Sequence, residues 1–288
     1  MLKKNMLVNG KTDALISPLD RGLQYGDGLF ETILVEFGCA TFLQEHLCRL
    51  QKGCDVLGFP VLDIKTITDE VSQLVSDKQH GVIKIILTRG VGERGFLPPE
   101  KINVTRVIMF SDLETGIDQT LKSINLVLCK TCLAKQPLLS GIKHLNQLER
   151  ILARSELRDV ADAEGLMLDT DGSVIEGTMS NIFIVKDDFL ITTRLDNCGV
   201  EGVIRKALLQ QAEKEGITCK VEKLSLDDVK NSDEIFMTNS LMPVRVVKQL
   251  ILGETVVNKE ISTYAVWAKD TVLAAIKQQV NVTLKNSI

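Results

Sequence analysis

A polar segment at residues 111–119 divides the chain into two regions, each with its own pattern of strands and helices. The segment carries three acidic residues and Gly116, a composition typical of a connection between folded parts. The chain has 288 residues, enough for about two domains with separate cores. The sequence therefore predicts a smaller α+β domain at residues 1–112, a linker at 113–121 and a larger α/β domain at 122–288.

The first region alternates apolar, β-branched runs with stretches of helical periodicity. The apolar runs are short and bounded by turn-forming residues, as expected for buried strands. The first helical stretch is followed by Gly58 and Pro60, which end helices. The predicted strands are 29–37, 82–88 and 104–110, and the predicted helices are 43–57 and 64–75.

The second region has the same two kinds of pattern. Asp171-Gly172 predicts a hairpin turn, and Ser225 with Asp228 predicts a capping box that opens a short helix. The predicted strands are 123–128, 166–169, 182–185 and 234–238. The predicted helices begin near Leu145, Val203, Ser225 and Ser262, the last ending near Gln278.

Composition excludes several functions. The net charge is −4 and no run is rich in lysine and arginine, so nucleic acid and anionic membranes are poor candidate partners. The seven cysteines are scattered and odd in number, which argues against a disulfide framework. Cys129 and Cys132 have CxxC spacing without a second such pair, so we expect no metal site. Without a signal-peptide pattern or a bilayer-length apolar run, the expected location is the cytoplasm.

Lys143 and Glu176 are the candidate reactive pair. Lys143 lies in Gly-Ile-Lys-His-Leu-Asn, and Glu176 lies in Val-Ile-Glu-Gly-Thr-Met-Ser-Asn on a short strand. Pyridoxal phosphate needs an amine for its aldehyde and an acidic partner that keeps its pyridine nitrogen protonated. The pair meets both needs, but most lysines are solvated surface charges. The hypothesis therefore depends on a phosphate site elsewhere in the chain.

Two further features suit a phosphate dianion. Residues 199–202 form a glycine-containing loop that enters a helix, where the amides of Gly202, Val203 and Ile204 can donate. Arg49 lies next to the apolar stripe of the first helix, and a guanidinium can bind two oxygens at once. An ordinary surface salt bridge is the alternative role for Arg49.

Six parts of the chain together resemble the fold-type IV pyridoxal phosphate enzymes, which include branched-chain and D-amino-acid aminotransferases and aminodeoxychorismate lyase. The similarity runs almost from end to end, in the same order and spacing. The similar segments are 20–32 (DRGLQYGDGLFET), 46–50 (HLCRL), 88–95 (TRGVGERG), 143–150 with 174–181, 199–204 (GVEGVI) and 236–244 (FMTNSLMPV). The resemblance implies a two-domain fold of the D-amino-acid aminotransferase type, pyridoxal 5'-phosphate as cofactor, and a homodimer.

The resemblance also implies roles for single residues. Lys143 looks like the Schiff-base lysine, and Glu176 looks like the partner of the pyridine nitrogen. The other cofactor-binding positions correspond to Arg49, Asn181, Val203, Ile204 and Ser240. For a substrate with two carboxylates, the candidate contacts are Arg94, then Arg106, with Glu31 as a hydrogen-bonding residue.

Within the family, two segments favour the lyase: residues 143–150 and the Leu241-Met242-Pro243 loop. Branched-chain aminotransferases usually carry a tyrosine where this chain has Leu148. D-Amino-acid aminotransferases carry a histidine where it has Phe96. Glu31 favours an aminotransferase instead, because acidic residues are common at this position among transaminases.

We therefore expect a lyase that converts 4-amino-4-deoxychorismate into 4-aminobenzoate and pyruvate for folate biosynthesis. One alternative is a D-amino-acid or branched-chain aminotransferase with the same cofactor. A second alternative is a non-catalytic protein that binds a phosphoanion, in which Lys143 forms only a salt bridge.

Overall fold

The computed structural model describes residues 5–260 and 263–286, which separate into two compact units. The first unit comprises the described residues within 1–117, 142–146 and 276–288, and the second comprises those within 118–141 and 147–275. The division after residue 117 lies within the predicted linker. The prediction that each domain is one continuous stretch is wrong, because residues 142–146 and the end of the chain belong to the first unit.

The first unit is built on a five-stranded antiparallel sheet with strand order β1-β5-β4-β2-β3. Helix α2 packs against β2, and helix α3 packs against β3 and β5. The elements are β1 (Met6–Val8), α1 (Arg21–Tyr25), β2 (Gly28–Glu36), β3 (Cys39–Ala40), α2 (Leu43–Leu57), α3 (Ile64–Val75), β4 (His80–Thr88) and β5 (Thr105–Asp112).

The ends of α2 and α3 follow from local sequence. Gly58 ends α2 in the left-handed conformation, and its N–H bonds back to the last turn. Asp63 caps α3, because its carboxylate accepts from the backbone N–H of Thr66. Both helices cover the sheet with apolar side chains such as Leu47, Leu50 and Val71, which are buried. The sheet core therefore fixes where α2 presents its polar residues.

The second unit is built on a nine-stranded mixed sheet with strand order β11-β10-β9-β12-β13-β6-β7-β8, to which β14 adds beside β13. The pairs β6–β7, β6–β13 and β10–β11 are parallel. Its elements are β6 (Ser123–Leu128), α4 (Leu148–Ser155), β7 (Ala163–Leu168), β8 (Val174–Gly177), β9 (Asn181–Lys186), β10 (Phe189–Thr193), α5 (Val203–Lys214), β11 (Cys219–Glu222), α6 (Leu226–Lys230), β12 (Glu234–Thr238), β13 (Arg245–Leu252) and β14 (Thr255–Asn258).

Two apolar clusters form the core of the second unit. The larger cluster joins side chains of β6, β7, β9, β12 and β13. The smaller one packs α4 against β7 and β8 through Ala153, Met167 and Ile175. Strand β8 is held between these clusters, and the short hairpin turn at residues 169–173 joins it to β7 as the sequence predicted.

A last helix, α7 (Thr263–Asn286), ends the described part of the chain. It continues beyond the predicted end near Gln278, and its predicted first residue, Ser262, lies outside the described residues. Among the described residues, no helix is both long and apolar enough to cross a membrane.

The predicted start of a helix near Leu145 is wrong. Helix α4 begins at Leu148, and the residues before it are extended beside the start of β2. Phe30 donates its backbone N–H to the carbonyl of Lys143 at 2.9 Å, and Leu145 donates to the carbonyl of Gly28 at 3.0 Å. The apolar spacing from Leu145 onward suits a helix, but long-range pairing with β2 satisfies these backbone groups instead.

Candidate active site

Lys143 lies in the extended segment of the first unit. Its ammonium is 4.4 Å from the centroid of the Phe30 ring, a cation–π contact. Consecutive side chains of an extended segment point to opposite sides. His144 therefore points away from the side on which Lys143 lies.

Glu31, His46 and Arg49 form a buried cluster in the same unit. Glu31 accepts from Arg49 through both oxygens, with Nε–Oε1 at 2.8 Å and Nη2–Oε2 at 2.5 Å. His46 Nδ1 lies 2.6 Å from Oε2 of the same carboxylate. The Glu31 side chain is fully buried, and its carboxylate holds the guanidinium of Arg49. Its expected part in substrate binding, as a hydrogen-bonding residue, stays a prediction.

The charges in this cluster are fixed by their surroundings. Burial by itself would raise the pKa of Glu31, but the charge and hydrogen bonds of Arg49, with the hydrogen bond from His46, outweigh burial and lower that pKa to about 2. Burial lowers the pKa of His46, as do the charges of Arg49 and Lys143, while the hydrogen bond to Glu31 opposes this change. At neutral pH the cluster therefore consists of an anionic Glu31, a neutral His46 and a cationic Arg49.

Glu176 is the centre of the corresponding group in the second unit. Its carboxylate accepts from the Arg150 guanidinium through Oε1. Oε2 accepts from Asn181 Nδ2 at 3.1 Å and from the backbone N–H of Val200 at 3.0 Å. All of these partners are hydrogen-bond donors, which a carboxylate accepts through its two oxygens. An ionised carboxylate is the form that would keep a pyridine nitrogen protonated.

The loop at residues 199–202 passes close to Glu176 and leads into α5. Gly199 has a φ of +93°, and a Cβ there would lie 2.8 Å from side-chain carbons of Ile175 and Leu195. A Cβ on Gly202 would lie 1.9 Å from the Oδ1 of Asn181. Only glycine allows this approach, so both glycines have steric reasons to be present.

The start of α5 suits a phosphate group. Gly202 is the N-cap, and no side chain caps the helix. The first backbone N–H groups of a helix have no acceptor within the helix, so those of Val203 and Ile204 are suited to bind an anion. Asn181 lies beside this cradle, because its Nδ2 also donates to the carbonyl of Val200 at 2.9 Å. With the Glu176 carboxylate, these groups match the two ends of pyridoxal phosphate, so the second unit fits this cofactor.

Ser240 follows β12 in a tight turn. Asn239 organises this turn, because its Oδ1 accepts from the backbone N–H groups of Leu241 and Met242 at 3.0 and 2.7 Å. A cavity of about 380 Å³ in the second unit is lined by Asn239 and Met242, among others, but not by Ser240. The cavity is therefore separate from the residues expected to hold the cofactor.

The other substrate candidates differ in their surroundings. Arg106 donates to Glu70 through Nε and Nη2, both at 2.5 Å, and its expected role as a substrate contact stays a prediction. Arg94 is exposed in a loop whose shape is fixed by the buried Arg21. Arg21 donates to the carbonyls of Gly95 at 2.9 Å and Phe96 at 3.0 Å. Arg94 remains the candidate contact for a substrate carboxylate.

Sequence reasoning missed His46, Arg150 and Val200 as parts of the site. All three residues lie in segments that resemble the family, but the resemblance assigns them no role. The available signal was spacing: His46 and Arg49 are three residues apart on α2 and so share a face of that helix. For Arg150 and Val200, the link to Glu176 depends on chain segments 26 and 24 residues apart.

We expect the ionised Glu31 to make the free energy of unfolding decrease as the pH falls below 4.5. A carboxylate whose pKa is lower in the folded state stabilises the protein above its unfolded pKa, and this contribution is lost as the pH falls through the folded value. Between pH 6 and pH 3 the loss from a pKa near 2 is about 2 kcal/mol. Urea unfolding at both pH values should show this loss with Glu31 and not with Glu31→Gln.

Both proteins in this comparison carry His46→Gln, so that the buried imidazole does not titrate in the same range. The difference between the two pH dependences is the quantity of interest. Equal loss of unfolding free energy with glutamate and with glutamine at position 31 would contradict the expected ionisation.

Comparison with known proteins identifies the family. A family model described as amino-transferase class IV matches residues 28–250. An aminodeoxychorismate lyase from Vibrio harveyi is 35% identical over 86% of this chain and 92% of its own length. A putative branched-chain-amino-acid aminotransferase from Methanocaldococcus jannaschii is 30% identical over 88% of this chain and 90% of its own length.

Solved structures agree with this result. The crystal structure of 4-amino-4-deoxychorismate lyase from Pseudomonas aeruginosa is 37% identical, with a TM-score of 0.82. The similarity covers 93% of this chain and 97% of that one. The fold-type IV architecture expected from the sequence is thereby confirmed. The chain belongs to the class IV aminotransferase family.

Proposed function

We propose that this protein is a pyridoxal phosphate-dependent lyase that converts 4-amino-4-deoxychorismate into 4-aminobenzoate and pyruvate. The Glu176 carboxylate beside the uncapped start of α5 supports the cofactor. Identities of 35% and 37% to two proteins named as this lyase support the reaction. Supply of 4-aminobenzoate for folate biosynthesis, in the cytoplasm, is part of the proposal.

Lys143 and Glu176 have complementary roles. When bound, pyridoxal phosphate supplies an aldehyde that condenses with amines and a ring that accepts electrons. Lys143 provides the amine that holds the cofactor. Glu176 keeps the proton on the pyridine nitrogen, and Asn181 and Arg150 keep the Glu176 carboxylate in place.

The phosphate is held by charge and by directed donors. Arg49 provides a guanidinium whose direction is set by Glu31. The N–H groups of Val203 and Ile204 donate from the start of α5. The Ser240 hydroxyl adds a further donor from the turn after β12. Glu31 thus acts as a positioning residue for Arg49.

Lys143 also moves protons in this proposal. With pyridoxal phosphate bound, the free amine of Lys143 would be the base that removes the proton from the substrate carbon bearing nitrogen. Enolpyruvate then leaves the ring, and Lys143 or a nearby donor protonates it to give pyruvate. Formation of the aromatic ring makes the elimination favourable. Arg94 binds a substrate carboxylate through its guanidinium.

An assay with aminodeoxychorismate tests the reaction directly. We expect the purified protein with pyridoxal phosphate to release 4-aminobenzoate and pyruvate in equal amounts without any keto acid, measured by chromatography. The lyase chemistry needs no amino-group acceptor, which is the reason for omitting it.

A transaminase is the second candidate, favoured by the 30% identity to the putative branched-chain-amino-acid aminotransferase. The same preparation is therefore given D-alanine or leucine with 2-oxoglutarate. Glutamate formation, with no 4-aminobenzoate in the first assay, would replace the lyase proposal by this one.

Lys143→Ala is expected to abolish the covalent attachment of pyridoxal phosphate to the protein. The wild-type protein should be yellow and lose its visible absorption on treatment with borohydride, and mass spectrometry should locate the reduced cofactor on Lys143. Without the amine, no borohydride-stable attachment can form.

Lys84→Ala is the matched control, because the Lys84 ammonium also lies over the Phe30 ring, at 5.4 Å. It should keep the colour and the attachment. A Lys143→Ala protein that retained a borohydride-stable attachment would exclude the assignment of Lys143. A colourless wild-type protein to which borohydride attaches no cofactor would favour a non-catalytic phosphoanion-binding role.

The proposed assembly is a homodimer. Helix α4 exposes Leu148, Ile151 and Leu152 on one face, with exposed fractions of 73%, 59% and 60%. Three large apolar side chains on one exposed helix face are typical of a protein interface. A second copy of the chain is the partner that the family resemblance implies.

We expect Ile151→Glu to convert a dimer into a monomer, because a buried unpaired carboxylate would oppose association. Light scattering after size-exclusion chromatography gives the mass. Val61→Glu, at an exposed apolar position of the first unit, is the control and should leave the mass unchanged. A monomeric wild-type protein would contradict the proposed assembly.

A further inference from the structure

Arg205 is a buried cation in the first turn of α5. Only 5% of the residue is exposed. Its Nη2 donates to the carbonyl of Thr193 at 2.8 Å, and its Nε donates to Thr192 Oγ1 at 3.3 Å. Within the described residues, none of its hydrogen bonds goes to a carboxylate. Charged side chains are rarely fully buried without an opposite charge, so Arg205 needs an explanation.

Its neutral partners are themselves fixed. The Thr192 hydroxyl donates to the carbonyl of Ile182 at 2.7 Å, and the Thr193 hydroxyl donates to the carbonyl of Ile175 at 2.6 Å. Both threonines are fully buried on β10. The guanidinium is therefore held in one position by groups that do not neutralise its charge.

The position of this charge relates it to the proposed cofactor site. Arg205 immediately follows Ile204 and is two residues from Val203, the two residues whose amides form the phosphate cradle. Burial lowers the pKa of Arg205, whereas the charges of Glu201 and Glu176 are among those that raise it. An arginine nevertheless stays protonated in proteins. Its positive charge adds to the partial positive charge at the start of the helix.

We propose that Arg205 is a positioning residue that keeps the phosphate group bound at the Val203 and Ile204 amides in its dianionic form. It acts through its charge and needs no direct contact with the phosphate. The inference rests on the proposed function only in taking the phosphate to be that of pyridoxal phosphate. The chemistry applies to any phosphate monoester bound at this cradle.

Phosphorus NMR of the wild-type holoenzyme provides the first test. The second ionisation of a phosphate monoester normally falls near pH 6. In the wild type we expect the signal of the bound phosphate to stay at its dianion position from about pH 5 to pH 8. A bound phosphate that titrates near pH 6 in the wild type would overturn the proposal without any variant.

Arg205→Gln then removes the charge while keeping an N–H donor near the position of Arg205 Nε, which faces Thr192 Oγ1. We expect its bound phosphate to titrate within this range and its Kd for pyridoxal phosphate to rise by about tenfold or more. Arg205→Lys keeps the charge and should restore the pH-independent signal. A side chain needed only for packing would not produce this difference between glutamine and lysine.

Arg154→Met is the matched control. Arg154 lies on α4 of the same unit and donates to a backbone carbonyl, that of Ala163, at 2.6 Å. It should behave as the wild type in both measurements. A folded Arg205→Gln protein with wild-type affinity and a pH-independent signal would also overturn the proposal.

Inorganic phosphate separates this inference from the function. If the wild type binds no pyridoxal phosphate, the proposed function fails. The role of Arg205 can still be tested from the stabilisation of the cofactor-free protein by inorganic phosphate in thermal unfolding. We expect stabilisation of the wild type and of Arg205→Lys, and its loss in Arg205→Gln. Equal stabilisation of all three would refute the role of Arg205 alone.

Discussion

The second unit is organised around the buried carboxylate of Glu176. A buried charge is costly unless donors surround it, and removing one partner of a buried ion pair typically costs about 3–5 kcal/mol. The donors come from three separate segments: Arg150 from α4, Asn181 from β9 and Val200 from the loop before α5. The hydrogen bonds to the Glu176 carboxylate therefore fix a helix, a strand and a loop relative to each other.

The same requirement determines where α5 begins. The loop can place the Val200 N–H on Glu176 only if its backbone passes close to Ile175 and Asn181. Glycines at positions 199 and 202 permit this approach, since any Cβ there would overlap its neighbours. The helix then starts with its first amides unblocked by a side-chain cap. The loop conformation that places the Val200 N–H on Glu176 thus also leaves the first amides of α5 available to bind an anion.

The strands and most helices could be predicted, because burial on a sheet or against it leaves a local periodic pattern. Lys143 and Glu176 could be proposed as a reactive pair, because their chemistry is distinctive. The extended segment around Lys143 could not be predicted, since its hydrogen bonds go to β2, more than a hundred residues earlier. The partners of Arg106 and Glu31 could not be predicted for a related reason: sequence shows a charge, but not the side chain that pairs with it, such as Glu70 or Arg49.

The role of each buried arginine depends on the group that accepts its hydrogen bonds. Arg106 and Arg49 each bind a carboxylate through two oxygens, and Arg150 binds Glu176. For these three arginines, one acidic group already offsets each positive charge. Arg205 is more deeply buried than these three arginines, and its hydrogen bonds go to a carbonyl and a hydroxyl rather than to a carboxylate. A phosphate dianion at the start of α5 would therefore interact with the charge of Arg205 as well as with the partial positive charge of the helix start, and the carboxylates of Glu201 and Glu176 are the opposing charges in the same unit.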